Sequence, residues 1–221
     1  MQSAKSNENI EKLKSEIAYF MRRLYRQFLT TTSGGNISAI TDEKTILITA
    51  SATDKARIKA SEIIAIDLNG NTFSQNKTLQ VSIEKWMHIE IYKNRPDVKA
   101  IVHAHPLNAS ALSASSIKIR DNLIAETRAV LGKITYAEYN LMGSVELAKI
   151  VAKSALNSDC IVMQNHGIIA LGKNLLQAFD RIEVLEAAAK MTILHEGVLK
   201  GSTLSLSDEQ ILELDRMMGR K

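Results

Sequence analysis

The sequence predicts an α/β fold: a single domain in which helices cover both faces of a mixed sheet. Three observations point there. A length of 221 residues suits one core. With 45% apolar and 24% charged residues, the composition is ordinary for a globular chain. Segments of helical periodicity alternate irregularly with short apolar runs of strand length. The chain shows no internal repeat, low-complexity segment or long linker.

The elements follow in order. Ile10, Leu13, Ile17, Phe20, Leu24 and Phe28 recur at helical spacing, giving an amphipathic first helix that ends before "TTTSGGN" at 30–36. "NISAI", "TILIT" and "EIIAIDL" read as strands, and "NGN" at 69–71 as a hairpin turn. "SIEKWMHIEIYKN" is helical, with Ile83, Met87 and Ile91 on one face, and stops before Pro96. The strand "KAIVHAH", the short helix "PLNASALSAS" and the strand "KITYAEY" come next. Ser144 is the expected N-cap of "VELAKIVAKSAL". "DCIVMQNHGIIALG" gives two strands around a turn at Asn165–Gly167. The longest helix is expected in "NLLQAFDRIEVLEAAAKMTILHE", ending at Gly197 as C′ residue. A last helix, "SDEQILELDRMM", carries Ser207 and Gln210 at capping-box spacing.

Composition narrows function. No apolar run approaches the roughly 20 residues of a membrane span, and the N-terminus is polar and contains acids, so a cytoplasmic location is expected. The lone Cys160 reads as a buried strand residue. The net charge of +4 is dispersed, which speaks against nucleic acid as a partner and is compatible with a small anionic substrate.

The chemistry concentrates in "VKAIVHAHP" at 98–106. Residues i and i+2 of a strand share a face, so His103 and His105 can bind one ion together. Alone, such a pair is more often two ordinary core or surface histidines. His166, where an apolar strand ends beside Gly167, is a third candidate. Glu84 and His88, four apart on a helix, could each turn toward the same site, although His88 and His195 read more simply as helix-surface or packing residues. Three imidazoles and a carboxylate are a donor set that zinc uses.

"TSGGNIS", "ILITAS", "EKWMHIEIYKNRPDVKAIVHAHPLNASALS" and "MQNHGIIALGKNLLQAFDRIEVLEAAA", in this order, resemble the successive motifs of the class II aldolase and adducin head family, from about residue 10 to 200. The resemblance implies a single domain over 1–221, a three-layer α-β-α fold whose mixed sheet is largely antiparallel. It implies zinc held by His103, His105 and His166, with Glu84 as acid/base and metal contact. It also implies a substrate-phosphate site at Gly35, Asn36, Ser51 and Ser82. Two positions depart from the family pattern: Ala52 stands where a glycine is usual, and Ile83 where a second serine is usual. The tyrosine that fuculose-phosphate aldolases carry near the C-terminus has no counterpart after Tyr139, and Tyr136 and Tyr139 lie in a segment without a clear match. Glu126 and Glu138 are poorly supported substitutes for the extra acid of the dehydratase branch.

The resulting expectation is a zinc-dependent aldolase that cleaves a small, phosphorylated ketose through a metal-stabilised enediolate protonated by Glu84. The alternatives are a sugar-phosphate 4-epimerase or methylthioribulose-phosphate dehydratase of the same family, or a non-catalytic adducin-like binding module. The family pattern further implies a homo-oligomer, a tetramer, with the site near a subunit boundary.

Overall fold

A computed structural model of the chain describes residues 2–73, 78–199 and 204–220. Seven strands, β1 (Asn36–Ile40), β2 (Ile46–Thr49), β3 (Ile63–Ile66), β4 (Ala100–Ala104), β5 (Ile134–Ala137), β6 (Cys160–Met163) and β7 (Gly167–Gly172), form one sheet. Their order is β3-β2-β1-β4-β7-β6-β5, and only β5 and β6 pair in parallel. The described helices are α1 (Gln2–Arg26), α2 (Lys85–Asn94), α3 (Leu107–Ser113), α4 (Ala125–Leu131), α5 (Val145–Ala155), α6 (Leu175–Gly197) and α7 (Asp208–Met217). None is long and apolar enough to cross a membrane.

Strand alternation splits the core into two layers. Ile37, Leu47, Val102, Ala104 and Ile168 pack with Ile17, Met21, Leu24, Phe179, Ile182 and Leu185 of α1 and α6. The side chains between them, Ile48, Ile64, Ile101, Ile161 and Ile169, pack with Met87, Ile91 and Val151 of α2 and α5. The fold is therefore the expected three-layer arrangement, with a mixed, mainly antiparallel sheet.

On the face toward α2 the apolar pattern breaks. Asn36, Ser38 and His103 are all buried there, and pairing of β1 with β4 sets Asn36 opposite His103 and Ser38 opposite Ile101. Polar side chains thus occupy one corner of an otherwise apolar layer, which requires that they find partners in one another.

Several boundaries differ from the sequence expectation. At 25 residues α1 is longer than α6 at 23. Gly197 lies inside α6, and the cap is Val198 at φ −101°, so no left-handed residue ends this helix. Left-handed C′ residues instead end α1, at Phe28 with φ 59°, where Leu29 N–H donates to Leu24 O and Phe28 N–H to Tyr25 O, and α7, at Gly219 with φ 70°. Ile83 precedes α2 and is exposed, because Ser82 and Glu84 turn inward at that point. Helix α4, too short to show a period, carries Arg128, which bridges Asp121 and Asp215 and so fastens α7. Ser144 and Ser207 cap α5 and α7 as read from sequence, and Cys160 is fully buried in β6.

Candidate metal centre

Strand β4 delivers the first histidine. His103 is fully buried, and its Nδ1 lies 2.9 Å from Ile168 O. That nitrogen donates to the carbonyl, which turns Nε2 into the cluster as a lone-pair donor. The strand ends at Ala104, one residue earlier than the sequence pattern suggests, yet His105 keeps the same side: the two Nε2 atoms are 2.9 Å apart. His105 N–H donates to Leu29 O, tying the end of the strand to the loop after α1.

His166 comes from the tight turn between β6 and β7, where Asn165 adopts φ 54° and His166 N–H donates to Met163 O. Its ring centroid lies 4.9 Å from that of His103 and 5.3 Å from that of His105. Two glycines make room for His105. A Cβ on Gly167 would stand 2.6 Å from both Ala104 O and His105 Cδ2, and one on Gly34 would stand 2.9 Å from His105 Nδ1.

Glu84 enters from the opposite layer as the N-cap residue of α2, its N–H donating to Ser82 Oγ. Its Oε2 lies 3.3 Å from His103 Nε2 and its Oε1 3.1 Å from His166 Nε2. The orientation of the second pair makes no hydrogen bond, so Glu84 Oε1 and His166 Nε2 are buried without a hydrogen-bond partner. Burial alone would raise the Glu84 carboxyl, but the neighbouring His103 and His166 hold it well below the usual carboxylate range. Burial pushes His105 down to about 3, helped by His103 and His166, and so favours its neutral form. His103 is the exception: burial lowers it, yet the Glu84 charge beside it raises it overall.

The residues fit a divalent metal ion. Nitrogens of His103, His105 and His166 all lie within 4.8 Å of one another. Tetrahedral sites with ligand distances of roughly 2.0–2.1 Å set donors about 3.3 Å apart, close to the spacings here. The two unpartnered buried atoms, Glu84 Oε1 and His166 Nε2, face each other across this cluster and gain a partner in a cation.

A feature that sequence reading missed lies behind Glu84. Asn36 Nδ2 donates to Glu84 Oε2 at 2.7 Å, and Asn36 Oδ1 contacts His88 Nε2 closely. Ser38 Oγ is 2.7 Å from His88 Nδ1 and 2.8 Å from the Tyr92 hydroxyl. Of the two readings of His88, helix surface or packing, the fold takes the second: it is fully buried, and burial drives it down to about 3. The 84, 88, 92 spacing on α2 carried the signal.

The sequence-predicted substrate residues come from segments that the fold joins. Lys55 N–H donates to Thr32 O, and Ser51 N–H donates to Gln80 O, so the loops at 30–36, 50–55 and 80–82 converge. Gly35, at φ 67°, passes so near β4 that a Cβ would stand 2.7 Å from His103 O. Ser82 is buried and its hydroxyl accepts from Glu84 N–H, Ser51 is half-buried, and Asn36 turns its amide into the interior. Ala52 adopts φ 52°, retaining a glycine-like backbone without the glycine. Among the other residues singled out from sequence, Tyr136 OH accepts from Ile119 N–H, Tyr139, Glu126 and Glu138 are exposed, and His195 sits in the last turn of α6.

Comparison with known proteins follows the same lines. Residues 15–193 match the model of the class II aldolase and adducin N-terminal domain. An L-fuculose phosphate aldolase of Methanocaldococcus jannaschii is 36% identical over 182 residues, covering 82% of this chain and 96% of that protein. A 3-oxo-tetronate 4-phosphate decarboxylase of Haemophilus influenzae is 29% identical, covering 88% of this chain and 91% of that protein. Among solved structures, an L-fuculose 1-phosphate aldolase superposes with a TM-score of 0.83 at 33% identity, covering 94% of this chain and 96% of the other.

Proposed function

This chain belongs to the class II aldolase and adducin family, and on that premise we propose that it is a zinc-dependent aldolase cleaving a small phosphorylated ketose, of the fuculose-phosphate type. The observation that carries the reading is the convergence of three imidazoles and the Glu84 carboxylate, with Glu84 Oε1 and His166 Nε2 left without hydrogen-bond partners. His103, His105 and His166 would hold the ion, with Glu84 as fourth donor. Nitrogen and oxygen donors in this ratio suit zinc better than harder cations.

A divalent ion in that cluster supplies Lewis-acid polarisation of the ketose carbonyl and stabilises negative charge on the adjacent oxygens. The chain's own residues do the rest. Glu84 takes the proton of the hydroxyl on the carbon that departs as the aldehyde, the carbon–carbon bond breaks to leave its electron pair on the ketone fragment, and Glu84 returns the proton to that carbon. The convergent loops bearing Gly35, Asn36, Ser51 and Ser82 bind the phosphate end and set the distance between it and Glu84. Burial of His103 and Glu84 keeps bulk water from the reacting carbon. We place the protein in the cytoplasm as a homo-oligomer, a tetramer by the family pattern; light scattering on the purified protein tests the assembly.

Glu84→Gln tests the assignment. Metal content should stay near one equivalent per chain, while turnover falls by roughly 10²–10⁴. Unchanged turnover would remove Glu84 from the reaction. The decarboxylase relative favours a second reading, in which the same cluster stabilises charge left by loss of carbon dioxide rather than of an aldehyde. Carbon dioxide released from a 3-oxo acid phosphate, with no cleavage of ketose 1-phosphates, would select it.

A further inference from the structure

With His88 neutral, as its complete burial favours, the hydrogen bonds behind Glu84 have only one consistent direction. An ionised carboxylate can only accept, so Asn36 must offer Nδ2 to Glu84 and its Oδ1 to His88. Oδ1 in turn needs a donor, which makes His88 Nε2 the protonated nitrogen and leaves Nδ1 an acceptor. Ser38 then donates its hydroxyl proton to Nδ1 and accepts from the Tyr92 hydroxyl. Every proton in the series Tyr92, Ser38, His88, Asn36 points toward Glu84. All five side chains are buried.

From this we propose that Tyr92, Ser38 and His88 are positioning residues that act through the Asn36 amide. They fix Glu84 by its Oε2 and leave Oε1 free to move off the ion and carry the proton in the reaction. The inference rests on Glu84 being the acid/base. The two carboxylate oxygens are unequal in the structure: Oε2 is held by Asn36 at 2.7 Å, whereas Oε1 has no hydrogen-bond partner and faces His166. If His88 did not donate, the Asn36 amide could rotate by 180° and present Oδ1 to the carboxylate, where two acceptors would repel and Glu84 would leave its place. A neutral imidazole suits this task better than a charged one, and burial keeps His88 neutral.

Two substitutions separate positioning from packing. In His88→Gln the side-chain amide reaches where the Nε2–H stood and still donates to Asn36, whereas His88→Leu fills the space without a donor. His88→Leu should lower kcat about 10- to 100-fold, the range of lost outer-shell contacts, with KM changed less than about threefold and metal content near one equivalent. His88→Gln should recover most of the loss. A residue that only packs would give the opposite order, because leucine suits an apolar layer better than glutamine does. Wild-type kcat in His88→Leu, or equal losses in both variants, would overturn the proposal. Nitrogen-15 NMR of the metal-free wild-type protein gives an independent readout: His88 should show the neutral Nε2–H tautomer from pH 5 to 9, and the Nδ1–H tautomer would overturn the chain. Glu84→Gln distinguishes the two levels. Retained turnover there overturns the Glu84 reading and this inference with it, whereas a failure confined to the His88 variants overturns this inference alone.

Discussion

Gly167→Ala is a local perturbation with a calculable effect. The new methyl would stand 2.6 Å from Ala104 O and 2.6 Å from His105 Cδ2, where ordinary contact begins at 3.4 Å. One neighbour is backbone of β4 and the other is the ring of a candidate metal donor, so β7 and the end of β4 must separate by most of an ångström. Overpacking of this kind typically costs about 1–3 kcal/mol. For a chain of this size that lowers Tm by roughly 2–4 °C per kcal/mol. Metal donors tolerate displacements of only about 0.2 Å. Zinc affinity should therefore fall at least about tenfold, as when an outer-shell support is lost. Competition with a chromophoric chelator measures the affinity, and thermal unfolding of the metal-free protein the stability. Gly197→Ala is the control: nothing lies within 4 Å of its Cβ position, and alanine favours the helix, so neither quantity should fall. Wild-type zinc affinity and Tm in Gly167→Ala would refute the claim that this glycine exists to admit His105.

Ala52 and Phe28 hold left-handed backbone at φ 52° and 59° with exposed side chains, so Ala52→Gly and Phe28→Gly should each leave Tm unchanged or raise it by a few degrees: relief of about 1 kcal/mol of strain is set against unfolded-chain entropy. A fall of several degrees in differential scanning calorimetry would contradict this. Lys55 is buried with Nζ donating to Ala50 O and Thr53 Oγ1, and burial lowers its pKa to about 8 despite Glu62. The native state then releases this proton near pH 8 and the unfolded chain near 10.5, so the unfolded state binds more protons between these values and stability rises with pH there. Relative to Lys55→Met, the wild type should gain on the order of 2 kcal/mol from pH 7 to 9.5 in urea unfolding, and a constant difference would show that Lys55 is not desolvated. His105→Ala or His166→Ala should bring bound zinc well below one equivalent at micromolar metal, read by elemental analysis, and full occupancy in either variant would remove that histidine from the donor set.

Much of this was legible in the sequence, because period-2 and period-3.6 patterns report which face of an element is buried. Ile101 and Val102 alternate across β4 as read, and Ser144 and Ser207 announce helices α5 and α7 through their capping chemistry. Glu84, His103, His105 and His166 stood out as chemically suitable donors, and the fold brings them together. What stayed hidden depends on contacts between layers. Asn36 stands by its motif in the expected phosphate loop, and no local pattern reveals that its amide also crosses to Glu84 and His88. Ser38 is one small polar residue in an apolar strand, and its meaning emerges only when α2 lays His88 and Tyr92 against it. Local cues also misplace ends: Gly197 invited a C′ assignment, whereas the chain continues through Val198 without left-handed backbone.

Product analysis decides whether this chain cleaves a phosphorylated ketose at the His103, His105, His166 and Glu84 cluster. Zinc-loaded protein incubated with L-fuculose 1-phosphate should release an aldehyde and a three-carbon ketone phosphate in equal amounts. A chelator, or Glu84→Gln, should abolish the release. Recovery of the ketose intact, its conversion to a C4 epimer, or loss of water without an aldehyde would rule out aldol cleavage at this cluster.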